Sequence, residues 1–150
     1  MASKWYGSIN NRIEENHMFC DEIKVGTGVT EYHWSDREAY EVIAVRDQKH
    51  VTVRRYDVKH VGEAFSNDWK LISNPDNPER TLERRGDIWY WTNTITADDI
   101  KDIEDNIDLK VRLVMAGYDI DKIRKNGKQT RRYRANVSFG VANYHYDYSF

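Results

Sequence analysis

The stretch Tyr40-Glu41-Val42-Ile43-Ala44-Val45-Arg46-Asp47-Gln48-Lys49-His50-Val51-Thr52-Val53-Arg54-Arg55-Tyr56 decides the fold class. Tyr40, Val42, Ala44 and Arg46 alternate with Glu41, Ile43, Val45 and Asp47, and both rows are rich in β formers. Gln48-Lys49 is short enough for a tight connection, and His50–Tyr56 returns with Val51, Thr52 and Val53. The reading is a β-hairpin over 40–56.

Toward the N-terminus, Ile23, Val25 and, past Gly26 and Gly28, Val29 mark a bent strand pair or a bulge. Trp34-Ser35-Asp36-Arg37 reads as a turn. Residues 1–21 read as an arm, or as a short helix over Ile9–Glu15 capped by Ser8. Toward the C-terminus, Trp69–Ile72 is a short apolar segment, and Asn74-Pro75-Asp76-Asn77-Pro78 is the densest turn signal. Thr81–Arg85 and Asp87–Thr92 form a second hairpin about Gly86. Trp89, Tyr90 and Trp91 make an aromatic triplet that buries or stacks on both strand faces.

Thr96-Ala97-Asp98-Asp99 resembles a capping box, and Ile100, Ile103 and Ile107 keep helical spacing. This predicts one main helix over about 96–108. From Leu109 the spacing becomes two (Leu109, Val111, Leu113, Met115), which reads as a strand. Asp119–Lys125 is one helical turn, closed by Asn126-Gly127. Gln129–Val141 reads as a long β run. In the tail, Tyr144, Tyr146, Tyr148 and Phe150 fall on one face, a stripe expected to be tied into the core or a subunit interface. The expected fold is α+β and β-rich. It is a twisted antiparallel sheet or open barrel with one main helix, in a single domain spanning 1–150.

Composition bounds the function. A chain of 150 residues with 39 % apolar and 32 % charged residues supports one ordinary core. A net charge of −2 excludes a globally basic nucleic-acid binder but not a local basic patch. The apolar runs are too short for a membrane span or a secretory leader. The single cysteine, Cys20, excludes an intrachain disulfide and a thiolate metal cage, and points to a reducing cytoplasm.

Three groups of residues carry candidate chemistry. Lys122, Arg124, Lys125, Lys128, Arg131, Arg132 and Arg134 place seven cations, and no acid, within 122–134. That run suits an anionic partner, or it is a solvated face balancing the acids of 98–108. The run becomes a stripe if Arg131, Lys128 and their alternates share one strand face. Trp34, Trp69, Trp89 and Trp91 with Tyr32 and Tyr90 can stack a base, or they are core. The histidines His17, His33, His50, His60 and His145 have no metal-site spacing, and His17 with Cys20 supplies too few ligands for zinc. His33, Asp36, His145 and Asp147 are acid/base types. The chain has no nucleophile elbow, phosphate loop, dinucleotide fingerprint or zinc-protease motif. No enzyme activity, metal or cofactor is expected.

Four stretches taken in order carry a resemblance. They are Ile23-Lys24-Val25-Gly26-Thr27-Gly28-Val29-Thr30, Trp34-Ser35-Asp36-Arg37, Asn74-Pro75-Asp76-Asn77-Pro78-Glu79-Arg80-Thr81, and Ser138–Phe150 with its Tyr144-His145-Tyr146-Asp147-Tyr148-Ser149-Phe150 ending. Together they resemble the first type of anti-Thoeris sponge, a group of small phage and prophage proteins. The resemblance covers about 22–94 and 138–150, and leaves 95–137 as an insertion. It implies a protein that binds a cyclic ADP-ribose isomer or a cyclic oligonucleotide and silences bacterial immune signalling. It implies a ligand-phosphate role for Arg37, and Arg80 matches the arginine of the family's turn motif. The family carries an arginine after the tail's Gly-Val, where this chain has Ala142. Arg131, Arg132 or Arg134 could replace that lost charge.

The expected function is therefore sequestration of a small anionic cyclic nucleotide without cleavage, in the cytoplasm of an infected bacterium. The expected ligand-binding residues are Arg37, Arg80, Trp34, Trp91, Arg131 and Arg134. A homo-oligomer is expected from the aromatic tail and the resemblance, with no membrane partner. The alternative is a phage inhibitor that binds a host defence protein or nucleic acid, such as a CRISPR–Cas inhibitor, through the basic 122–134 segment.

Overall fold

The structure is a computed structural model and describes residues 22–148. The expected arm or helix at 1–21, with His17 and Cys20, and Ser149 and Phe150 at the end of the tail, lie outside the described residues. The fold is α+β and β-rich, built on an antiparallel sheet. Nine strands are described: β1 Gly28–Tyr32, β2 Arg37–Asp47, β3 His50–Arg55, β4 Asp57–His60, β5 Trp69–Ile72, β6 Glu79–Arg85, β7 Ile88–Thr96, β8 Lys128–Ala135 and β9 Val137–Gly140. Between β7 and β8 lie three short helices, α1 Ala97–Asp102, α2 Ile107–Met115 and α3 Ile120–Asn126. The seven-stranded sheet runs β8-β7-β6-β3-β2-β1-β9, and β4 and β5 pair separately.

Residues 22–91 with 134–148 make one compact unit, and Thr92–Tyr133 makes a second. In the first unit the hairpin read from 40–56 is β2–β3, with Val42 facing Val53 and a bulge between Val42 and Ala44. Register puts Val29, Tyr40, Val42, Val53 and Phe139 on one sheet face. That face, with Val51, Leu82, Trp89, Trp91 and Val137, is the core. Each large apolar side chain buried there stabilises the fold by roughly 1.5–3 kcal/mol. Trp89 rests on Phe139 with ring centres 4.6 Å apart. The opposite face buries two hydroxyls, and both are satisfied. Thr30 Oγ1 donates to the Val141 carbonyl at 2.7 Å, and Ser138 Oγ bonds the Tyr32 hydroxyl at 3.1 Å.

The structure corrects three sequence expectations. The single helix over 96–108 is two helices. Thr96 caps α1 through a complete capping box, but α1 ends at Ile103 and Asn106 caps a new helix by accepting from the Leu109 amide at 3.1 Å. The strand read at 109–115 is part of α2. Leu109 and Leu113 share one side of this helix while Val111 and Met115 share another, so two interleaved four-residue spacings imitate a period of two. Finally, the β run expected over Gln129–Val141 is two strands, β8 and β9, and the tail beyond Gly140 is not a strand. Strand pairing stops at Gly140 because its partner Gly28 is the first residue of β1, and beyond it only His145 bridges Arg37.

That tail is nonetheless held within the first unit. Tyr144 packs edge-on against Trp69 at 4.7 Å, and Tyr148 against Phe65 at 5.3 Å. Asn67 Oδ1 accepts from the Tyr146 amide and from Trp69 Nε1, which fixes the amide so that its Nδ2 donates to His145 Nε2 at 3.2 Å. His145 Nδ1 then donates to the Ser35 carbonyl at 3.0 Å. The imidazole is thereby assigned as the Nδ1–H tautomer. The second unit has its own small core of Ile100, Tyr118 and Ile123, flanked by Ile95, Ile103, Leu113 and Ile120. No helix among the described residues is long and apolar enough to cross a membrane.

Candidate functional site

Asn74-Pro75-Asp76-Asn77 has a structural duty that positions one strand of the candidate site. The Asn74 and Asn77 side-chain amides both donate to the Asp57 carboxylate, at 2.8 and 2.9 Å. These bonds hold the Asp57 carboxyl below the usual carboxylate range, Asn77 more than Asn74. Arg54 Nε donates to the Asn77 carbonyl at 3.0 Å. The turn so fixed leads into β6, whose Arg80 pairs with Val53 and faces the core side of the sheet.

There Arg80 closes a ring of four side chains. Its guanidinium carbon lies 3.7 Å from the centre of the Trp91 ring, and its Nη1 donates to the Tyr40 hydroxyl at 3.1 Å. Tyr40 donates in turn to Glu31 Oε1 at 3.1 Å, and Trp91 Nε1 donates to Glu31 Oε2 at 2.8 Å. A guanidinium over an indole is worth about 0.5–2 kcal/mol, more as the pair is desolvated. Burial, then the Glu31 charge, pushes the Tyr40 hydroxyl up to about 12, against the pull of Arg80. Tyr40 and Trp91 are buried while Arg80 is exposed, and its fork carries more donors than the one bond to Tyr40 uses.

Two further groups border the ring. Glu38 is the register partner of Glu31, so two carboxylates stand directly opposite on one face. Like charges in that position are ordinarily destabilising. Burial raises the Glu38 carboxyl, with the Arg55 charge opposing. Arg55 is the register partner of Tyr40. His33 Nε2 lies 3.3 Å from Glu31 Oε1, which ties the Trp34 turn to the same end of the sheet. The arrangement offers guanidinium donors beside carboxylate acceptors on a rigid sheet. Among the described residues no group of three or more His, Cys, Asp or Glu could hold a metal ion.

Of the sequence candidates, the structure brings Arg80 and Trp91 together. Arg37 pairs with Tyr32 on the opposite sheet face, with its guanidinium 5.7 Å from the Tyr32 ring centre. Trp34 is 91 % exposed on the β1–β2 turn. The face of Trp91 that was to stack a base is occupied by Arg80. Arg131 reaches the Gly117 carbonyl at 3.4 Å and lies 5.7 Å from the Tyr133 ring, inside the second unit. Arg134 is exposed. Strand alternation puts Lys128, Arg132 and Arg134 on one face of β8 and Arg131 on the other, so the basic run is not one stripe. Arg124 is taken by Glu104 at 2.7 Å.

Sequence reasoning missed Glu31, Glu38 and Tyr40. Glu38 sits one residue beyond the Trp34–Arg37 turn, and Glu31 falls between the strand marked by Val29 and that turn. What would have found them is the register that sets two glutamates opposite each other. No known protein family, curated protein or solved structure matches the chain.

Proposed function

We propose that this protein is a non-catalytic receptor that binds and sequesters a small anionic nucleotide, of the cyclic ADP-ribose or cyclic oligonucleotide class. The observation that carries the reading is the Arg80–Trp91–Tyr40–Glu31 ring with Glu38 and Arg55 at its border. A nucleotide is both an anion and, through its base, a donor of N–H bonds. Arg80 and Arg55 supply a charge-assisted clamp for phosphate, and Glu38 supplies an acceptor for an exocyclic amine. The ring already spends Glu31 on Tyr40 and Trp91, so the guanidinium is positioned before the ligand arrives. The order of motifs shared with the anti-Thoeris sponges supports the same class. Arg37, on the other face, belongs in this reading to a separate contact or to the fold.

Calorimetry against cyclic ADP-ribose isomers and cyclic di- and trinucleotides tests it. Nanomolar binding, near −12 kcal/mol, is expected for at least one member of the panel. Arg80→Ala is expected to weaken it at least tenfold and Glu38→Gln to change the preferred base, with the ligand recovered intact by mass spectrometry. A flat response to every compound would overturn the reading. Cleaved ligand would replace it with a phosphodiesterase. Salt-sensitive nucleic-acid binding that depends on Lys128, Arg132 and Arg134 would replace it with a macromolecular inhibitor.

A further inference from the structure

Among the described helices, α2 alone has no buried residue. Leu109 and Leu113 turn toward α1 and line an open groove of about 390 Å3 with Ile95, Ile103 and Arg112. The other side of α2 carries Ile107, Val111, Val114 and Met115, which are 74, 49, 56 and 82 % exposed. At 100° per residue these four fall within about a quarter-turn, a continuous apolar stripe. A helix of this length is marginal on its own, and its stability comes from packing an apolar face. Apolar residues scattered singly are ordinary on a protein surface, whereas a contiguous apolar patch marks a contact surface.

We propose that α2 is a self-association surface, on which two copies of this chain pair antiparallel about a two-fold axis at Val111. The stripe is self-complementary under that symmetry. Val111 meets its own copy, and Ile107 meets Met115 of the partner subunit. The charges select this occupant. Asp108 and Arg112 flank the same edge of the stripe, on opposite sides of Val111 along the axis. Reversing the second helix therefore sets Asp108 beside Arg112 of the partner subunit, offset by about 3 Å of helix rise, and does so twice. On the other edge Lys110 is held by Glu104 at 3.1 Å, so the axis does not oppose two uncompensated lysines. This pairing is independent of the nucleotide reading, because every residue in it lies within the Thr92–Tyr133 unit.

Light scattering and sedimentation of the full chain at tens of micromolar test it. A mass of two protomers, or an even multiple, is expected, and Val111→Glu is expected to halve it. Asp108→Arg and Arg112→Asp alone are each expected to weaken pairing by about tenfold, and the D108R/R112D double variant to restore it. The charge variants sit at exposed positions, so they decide the question even where Val111→Glu perturbs the helix by circular dichroism. A wild-type monomer, an unchanged mass in the Val111→Glu variant, or a double variant no better than the singles would overturn the pairing. So would a monomer that co-sediments with phosphatidylglycerol vesicles, which would assign the stripe to a lipid surface.

Discussion

Tyr40 shows how one residue couples the core to the candidate site. Its ring is buried beside Trp91, with centres 5.3 Å apart, and its hydroxyl joins Arg80 to Glu31. Its pKa is raised to about 12 in the fold, against about 10 in an unfolded chain. The unfolded chain therefore loses this proton first as pH rises. The stability that Tyr40 contributes is complete below pH 10 and is lost as pH climbs from about 10 to about 12. Tyr56, Tyr118 and Tyr144 are also raised by burial, so the residue is isolated by a variant. Urea denaturation from pH 9 to 12 is expected to show a steep fall in the wild type. Tyr40→Phe should start lower, having lost the hydroxyl bonds, and fall less steeply. Equal slopes would mean that Tyr40 does not titrate in this way.

At the scale of the element, β1 is the strand on which the first unit is assembled. It pairs with β2 at one edge and β9 at the other, so its register is fixed from both sides. Its first residue, Gly28, is glycine for lack of space. A Cβ there would come within 2.3 Å of the Ala142 amide nitrogen and 2.9 Å of the Val141 carbonyl carbon. Those contacts are backbone, so they cannot be relieved by rotating a side chain. The same segment is held by Thr30, which donates to Val141 and accepts from the Asn143 amide at 3.0 Å. Gly28→Ala is expected to force 141–143 away and to cost about 1–3 kcal/mol, the range for overpacking a tight site. Chemical denaturation reads the loss, and increased amide exchange at 141–143 locates it. Exchange unchanged there would show that the strand shifts instead.

At the scale of the whole molecule, the tail integrates distant parts of the first unit. His145 reaches Ser35 with one ring nitrogen and Asn67 with the other, across sequence separations of 110 and 78 residues. Its aromatic neighbours find their partners within the chain, Tyr144 on Trp69 and Tyr148 on Phe65. Phe65 itself has a backbone φ of 62°, a region costly for a residue with a Cβ. A double-mutant cycle on His145→Ala and Asn67→Ala is expected to give a coupling of about 1 kcal/mol, since the two share a network. Amide exchange over 144–148 should rise in each single variant and no further in the double. Additive effects would show that the tail is held by its aromatic rings alone.

Alternation over 40–56, the Gly86 turn and the cap at Thr96 are local chemistry, so the hairpin, the second hairpin and the start of α1 were legible from residues alone. The Asn106 cap and the two-sided apolar pattern of α2 were equally local. There two physical periods overlap in one short segment, and the sequence admits either. Which cations act together was beyond sequence. Arg37 and Arg80 are alike on paper, yet strand parity sets them on opposite faces of one sheet. Glu31, Tyr40, Arg80 and Trp91 come from β1, β2, β6 and β7, and they meet only because these strands and the intervening β3 take a particular order and register. A one-residue slip in any pairing would turn one of them to the other face. Local preference is written in neighbouring residues; the site depends on long-range registers, which are settled by packing the whole core at once.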